Sequence, residues 1–293
     1  MATMVLDIGG TAIKSGLYVD GALTDIRETP TEAHRGAIYV VNRAKEIIAD
    51  YQQRSPFERI GISTAGQVDP VRGQIIYANE NLSGYTGMKI KEIMEQAFHV
   101  PVAVENDVNA AAIGESVFGA GKNYTDFVCL TYGTGVGGAI FSNGKLYSGS
   151  SYSAGEFGAI VTHPEERLAD QEFSGCYEKY ASTTALVKNA QLLDASLSNG
   201  RKIFERLDEP EVRALVDRWI MEIVYGLTTI IHMLNPECAI LGGGIMEQPY
   251  VLDQLRETLY PNIMTSFRQV KLEKAALGNR AGMLGAAVLH ERR

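Results

Sequence analysis

Two patterns of apolar and polar positions alternate along the chain. From Met4, the stretch "MVLDIGGTAIKSGLYVDGAL" gives an apolar run, a glycine pair, a second apolar run and then Asp20-Gly21. Asp-Gly between β-prone runs predicts a type I′ hairpin, because both central residues of that turn need positive φ. The segment therefore reads as strand, tight turn, strand, turn, strand. Farther along, "CLTYGTGVGGAIFSNGKLY" repeats the order, with Gly133-Thr134 in place of Gly10-Thr11 and Asn143-Gly144 in place of Asp20-Gly21. Gly10 to Gly133 spans the same length of chain as Gly21 to Gly144, so both turns repeat at one offset. That shared offset predicts an internal duplication and two similar lobes.

Between the copies the period changes. "GAIYVVNRAKEIIADYQQ" and "MKIKEIMEQAFH" carry apolar residues at helical spacing, and "FERIGISTAGQVDP" reads as a strand entering a glycine turn. Val100 to Val104 gives a further short strand, and the alanine-rich stretch after it opens on Asn106 and Asp107, both good N-cap residues. Beyond the second copy, "EVRALVDRWIMEIVYGLTTIIHML" predicts a long amphipathic helix stopped by Pro236. The strand "CAILGGG", a helix around Tyr250 to Thr258 and a closing helix from Gly282 to His290 follow. Strands alternating with helices indicate an α/β protein. With no low-complexity segment or flexible linker, the two lobes are expected to abut across a cleft.

At 293 residues the chain exceeds one usual core, which agrees with two domains. A formal charge of -8, with no Lys/Arg run longer than a pair such as the terminal Arg292-Arg293, argues against a nucleic-acid partner. Cys129, Cys176 and Cys238 are too few and too scattered for a disulfide framework. "MATMVLDIGG" lacks a signal-peptide pattern and no apolar run approaches a membrane span, so no membrane partner and a cytoplasmic location are expected.

The glycine turns narrow the chemistry. Gly133, Gly135 and Gly138 have dinucleotide-fingerprint spacing, but "AIFSNGKLY" continues as a strand where that fingerprint needs a helix. Neither Gly121-Lys122 nor Gly144-Lys145 is followed by Ser or Thr, which removes a P-loop. What remains is a hairpin turn whose bare backbone N–H groups and Thr hydroxyl can approach phosphate oxygens. Two such turns facing each other across a cleft would clamp a polyphosphate.

"DIGGT" from Asp7, "ENDVNAAA" from Glu105, "YGTGVGGAI" from Tyr132, "AGEFG" from Ala154, "NPECAILGGG" from Asn235 and the closing "AGMLGAA" together resemble the ROK family, within the actin-like ATPase and hexokinase group. The resemblance runs from residue 7 to residue 287. It implies two actin-like, ribonuclease H-like lobes with mixed sheets flanked by helices, at 1–119 plus 280–293 and at 120–279, with ATP and sugar in the cleft between them. It also implies an ATP-dependent sugar kinase acting on a hexose-type hydroxyl, O6, with Asp107 as the catalytic base. A carboxylate at a helix start is expected to stay ionised and fixed in direction.

By the same resemblance, Asn106, Glu156 and Glu178 match sugar-binding residues, Glu178 against the bland reading of a solvated helix face. Asp7 would lie near the Mg²⁺ of Mg-ATP, through water. Gly9, Gly10 and Thr11, and likewise Gly133, Thr134 and Gly135, would face the β/γ-phosphates, while Gly242, Gly243 and Gly244 would line the adenosine. ATP, Mg²⁺ and a small-molecule sugar are the implied ligands, and a homodimer is compatible with the resemblance.

Two departures from the family pattern bear on chemistry. Ala159 stands where many members have a histidine after "GEFG", and "VTHPEERLADQEFSGCYE" keeps only Cys176 of their cysteine cluster. A structural zinc needs about four Cys/His ligands, so none is expected, and His163 reads as a surface residue. Loss of that histidine opens space near the anomeric carbon, which with "DIGGTAIK" resembles β-glucoside kinases; glucose, fructose and N-acetylmannosamine are the other acceptors. A non-catalytic ROK-type sugar sensor without a helix-turn-helix is the alternative.

Overall fold

The computed structural model describes residues 2–79 and 82–291; the terminal pair Arg292-Arg293 lies outside them. Two units emerge from the packing. The first comprises Met1–Lys122, Ser148–Ala154 and Asn279–Arg293, and the second Asn123–Tyr147 and Gly155–Gly278. The short stretch Ser148–Ala154 thus groups with the first unit although it lies inside the 120–279 range.

In the first unit, β1 (Thr3–Ile8), β2 (Ala12–Val19), β3 (Ala22–Pro30), β4 (Arg59–Thr64) and β7 (Val102–Asn106) form one sheet in the order β3-β2-β1-β4-β7. The first three strands run antiparallel, and β4 and β7 join parallel to β1. Asp20 and Gly21 have φ of 49° and 85°, the positive values that a type I′ turn demands. On one face, Val40, Ile48 and Tyr51 of α1 (Ala37–Arg54) and Met94 and Phe98 of α2 (Ile90–Phe98) share a buried cluster with Leu6, Ile8, Ile60 and Ile62. A smaller sheet of β5 (Gln67–Asp69) and β6 (Gln74–Tyr77) hangs from β4.

Helices α3 (Asp107–Phe118) and α9 (Ala281–Val288) pack against each other and α9 against β1 and β4. Their approach is backbone to backbone: a Cβ on Gly285 would stand 1.7 Å from the Ala110 carbonyl oxygen. The small residues of "AGMLGAA" are therefore a packing requirement of this crossing.

The second unit repeats the plan. β8 (Phe127–Tyr132), β9 (Val136–Ser142), β10 (Lys145–Leu146), β11 (Cys238–Gly242) and β12 (Lys271–Lys274) lie in the order β10-β9-β8-β11-β12, with β8, β11 and β12 parallel. Strand for strand this is the first sheet again, with the Asn143-Gly144 turn at φ 52° and 72°. Its core is organised by α7 (Pro210–Leu234), whose Leu215, Trp219, Ile223, Leu227 and Ile230 recur at helical spacing and are buried. Each such side chain contributes about 1.5–3 kcal/mol on leaving water. Asn235, in the left-handed region at φ 46°, caps α7 just before Pro236. Helices α4 (Glu178–Ala181), α5 (Thr183–Leu193), α6 (Gly200–Glu205) and α8 (Pro249–Asn262) complete the unit. Among the described residues, no helix is long and apolar enough to cross a membrane.

Candidate functional site

Strand alternation decides where Asp7 points. Leu6 and Ile8 of β1 enter the core with α1, so Asp7 faces the opposite side, toward α9. There its Oδ1 accepts a hydrogen bond from Ser63 Oγ at 2.7 Å, and its Oδ2 lies 3.7 Å from Lys14 Nζ. Lys14 sits directly across the β1–β2 register from Asp7 and also donates to the Asn279 carbonyl at 3.3 Å. Room for the carboxylate exists because Gly282 has no side chain: a Cβ there would meet Asp7 Oδ1 at 2.9 Å and Ser63 Oγ at 3.0 Å. Beside it, Gly9, Gly10 and Thr11 form the turn from β1 to β2, with Gly10 and Thr11 exposed. The turn is held by Gly9 N–H donating to the Ala12 carbonyl at 3.0 Å and by Thr31 Oγ1 donating to the Gly9 carbonyl at 2.7 Å.

The junction of β7 and α3 fixes Asn106 and Asp107. Asn106 is the N-cap: its Oδ1 accepts from the N–H groups of Val108 at 2.9 Å and Asn109 at 3.0 Å. Its Nδ2 donates to the Gly66 carbonyl at 2.9 Å and to Asp107 Oδ1 at 3.0 Å. Asp107 Oδ1 also accepts from Val108 N–H at 2.9 Å, which fixes the carboxylate in direction. Its charge state is set differently. Burial first, and the Asp7 charge second, push its carboxyl from 3.8 up to about 6, against the lowering pull of the Val108 and Asn106 hydrogen bonds. The helix terminus alone would have moved it the other way.

In the second unit, Gly133, Thr134 and Gly135 turn β8 into β9, with Gly133 and Thr134 exposed. Gly133 N–H donates to the Gly135 carbonyl at 3.0 Å, and Thr183 Oγ1 to the Tyr132 carbonyl at 3.0 Å. Beside the turn opens a cavity of about 830 Å³ whose lining includes Gly133, Thr134, Lys188, Arg201, Gly244 and Gln248. Of the three consecutive glycines, Gly244 lines it; Gly242 is the buried last residue of β11, and Gly243, at φ 101°, passes against the Tyr132 carbonyl.

Glu178 opens α4 half-buried, not on a solvated helix face. Its Oε2 accepts from Val136 N–H at 3.4 Å, and a Cβ on Gly135 would stand 2.5 Å from that oxygen. Burial, with the neighbouring Glu156 charge, raises its carboxyl above the ordinary glutamate value. Glu156 itself is exposed, just ahead of the short helical turn Phe157–Ala159. The structure thus gathers Asp7, Gly9–Thr11, Asn106 and Asp107 in the first unit, and Gly133–Gly135, Glu156, Glu178 and Gly244 in the second.

The four Cys/His ligands of a structural zinc do not come together among the described residues, although His163, Glu165 and Glu166 bring ligand atoms within 4.8 Å of one another. Cys176 Sγ has Arg167 Nη1 at 3.3 Å, a cation where a metal would have to be, and both ring nitrogens of His163 are engaged, by Glu165 at 3.1 Å and Glu222 at 2.9 Å. His163 is accordingly half-buried and ion-paired, stacked on Tyr180, and not the surface residue its isolated position suggested.

Sequence reasoning passed over Lys14, Ser63 and Gly282. Lys14 was within reach, since a two-strand register through Ile8 and Ile13 places it opposite Asp7. Ser63 and Gly282 approach from distant segments, and nothing local marks them.

The ROK family model matches residues 3–293. An uncharacterized protein of Clostridium perfringens is 36% identical over 293 residues, covering 96% of this chain and 95% of that one. A β-glucoside kinase of Listeria innocua is 31% identical, over 98% of this chain and 96% of its own length. The crystal structure of a ROK family glucokinase from Streptomyces griseus, in complex with glucose and AMPPNP, superposes with a TM-score of 0.85 at 32% identity, covering 99% of each chain. A match spanning the whole chain, on a fold whose two sheets repeat one another, leaves one assignment: the chain belongs to the ROK family.

Proposed function

We propose that this chain is an ATP-dependent sugar kinase that phosphorylates O6 of a hexose, with Asp107 as the general base and a β-glucoside as the favoured acceptor. One observation carries the reading: a half-buried carboxylate, fixed through Oδ1 by the helix it opens and raised to about 6, is ionised at neutral pH yet basic enough to accept a hydroxyl proton. The Listeria β-glucoside kinase and the Streptomyces glucokinase support the substrate class.

In the proposed reaction Asp107 takes the O6 proton as O6 attacks the γ-phosphorus in line. The bond from that phosphorus to the β,γ-bridging oxygen breaks, and ADP leaves. Asn106 is held at both ends of its amide, so it presents a fixed polar edge to the sugar beside Asp107. Glu156 and Glu178 accept from ring hydroxyls. The N–H groups of Gly10 and Thr11 and of Thr134 and Gly135 serve phosphate oxygens, while the Gly9 and Gly133 N–H groups hold the two turns in shape, and Gly244 serves the nucleoside. Asp7, whose carboxylate accepts from Ser63 and faces Lys14 Nζ at 3.7 Å, would hold a hydrated Mg²⁺ through water and not by direct ligation, and the ion would offset charge on the transferred phosphoryl group.

The test is a coupled ADP-release assay across hexoses, N-acetylhexosamines and β-glucosides, run beside Asp107→Asn. Turnover highest on a β-glucoside, and lost in the variant with sugar binding retained, is the expected result. Turnover far better on free glucose or N-acetylmannosamine overturns the subclass, and near-normal turnover in the variant overturns the base.

A further inference from the structure

The chain between the two sugar carboxylates is a closed loop with an unusual fastening. It leaves Glu156 through the turn Phe157–Ala159, runs out from Ile160, and returns through Cys176 and Tyr177 to Glu178. Its neck is pinned by backbone: Tyr177 N–H donates to the Ile160 carbonyl at 2.7 Å, Thr162 and His163 N–H both donate to the Gly175 carbonyl at 3.0 Å, and Val161 bridges Cys176. Farther out, one guanidinium gathers the returning arm. Arg167 is a surface residue, yet its Nη1 lies 2.6 Å from the Glu172 carbonyl, 2.8 Å from the Ser174 carbonyl and 3.3 Å from Cys176 Sγ.

All three contacts fall on one nitrogen, Nη1, whose two N–H groups the planar guanidinium holds in a fixed direction beside the converging acceptors. Arg167 thereby tethers the residues that run directly into Tyr177 and Glu178. Tyr177 carries the constraint inward, donating to the Ile223 carbonyl at 2.8 Å with Tyr132 OH also at 2.8 Å. On the outgoing arm, His163 stacks on Tyr180 at 3.8 Å and pairs with Glu222 of α7, which anchors the other side of the same loop.

We propose that Arg167 is a positioning residue for the Glu156–Glu178 pair: a guanidinium, in place of a metal ion, fastens the loop that sets where the two sugar-binding carboxylates stand. The roles of the two glutamates rest on the sugar-kinase reading above; the fastening itself does not.

Arg167→Ala tests it through two readouts. Kinetically, the KM for the sugar acceptor is expected to rise roughly tenfold or more, as misplacement of binding groups does, with the KM for ATP unchanged. Methylguanidinium added to the variant is expected to restore part of the loss, and Arg167→Lys, which keeps the charge without the planar, directed N–H groups, is expected to fall between. Independently of activity, Cys176 is buried in the native protein, so its labelling by a thiol reagent is expected to accelerate in Arg167→Ala while Cys129 and Cys238 stay protected. Chelation followed by Mg²⁺ restoration is expected to leave the wild type fully active. Unchanged acceptor KM with unchanged Cys176 labelling overturns the proposal, as does one bound zinc per chain whose removal abolishes activity. An equal rise in both KM values without rescue also overturns it, since that marks general loosening. A wild type that phosphorylates no sugar would fell the kinase reading alone; Cys176 labelling would still decide the fastening.

Discussion

Asp107→Asn is expected to abolish turnover and at the same time make the protein more stable at neutral pH. Because burial and Asp7 raise its carboxyl from 3.8 to about 6, the folded state holds this proton more tightly than the unfolded chain does. Two pKa units of difference correspond to about 3 kcal/mol lost to the native state when the group ionises. The sign follows from proton uptake. Below about pH 4 both states are protonated and nothing is lost; the penalty grows between about pH 4 and 6 and is complete above that. Asparagine carries no charge, yet its amide oxygen can still accept from Val108 and Asn106 as Asp107 Oδ1 does. Since Asp107 is half-buried and solvent screens part of the effect, a gain of about 1–2 kcal/mol is expected, or roughly 3–6 °C in Tm. Thermal melts of both proteins from pH 4 to pH 8, beside coupled ADP release, supply the check. A variant that melts lower than the wild type at pH 8, or whose advantage grows as pH falls, would refute burial as the source of the shift. Turnover within about a hundredfold of the wild type would refute the base.

Four further outcomes are expected. The kcat/KM profile should lose activity on the acid side with a midpoint near pH 6, and Asp7→Asn should lower the Asp107 midpoint, read by carbon NMR titration of the carboxyl, because the second cause of the upward shift is gone. Gly135→Ala and Gly10→Ala make a contrast. A Cβ at Gly135 would stand 2.5 Å from Glu178 Oε2, so acceptor KM should rise, whereas a Cβ at Gly10 meets nothing within 4 Å, so the melting temperature should hold while ATP KM rises. Gly285→Ala places a Cβ 1.7 Å from the Ala110 carbonyl oxygen and should cost about 3 kcal/mol or more in urea unfolding; a loss under about 1 kcal/mol would show that α3 and α9 separate easily.

Much of the architecture was legible because its signals are local. Asp20-Gly21 and Asn143-Gly144 sit at the positive φ values that their residue types favour, and the repeated spacing of the two hairpins reappears as two sheets of identical strand order. The apolar period of α7 and its stop at Asn235 and Pro236 were equally readable. The β5–β6 sheet, β12 and helices α5 and α6 were not, since short elements owe their existence to partners elsewhere in the chain. Glu178 shows the same limit within the site. Helix position alone gave it a solvated face, and only packing set it half-buried against Gly135.

By itself, then, the sequence determined what lies within a few bonds' reach: turn conformations, helix starts, the face on which each strand hides its apolar residues, and the motifs that place Asp107 and Asn106 at a helix N-terminus. Tertiary structure alone decided the electrostatics and the close approaches. Ser63 reaches Asp7 from a parallel strand, Gly282 yields space from the far end of the chain, and Arg167 closes a loop over Cys176. The Asp107 carboxyl rises to about 6 because burial and a like charge act through space, and neither has a counterpart in the order of residues along the chain.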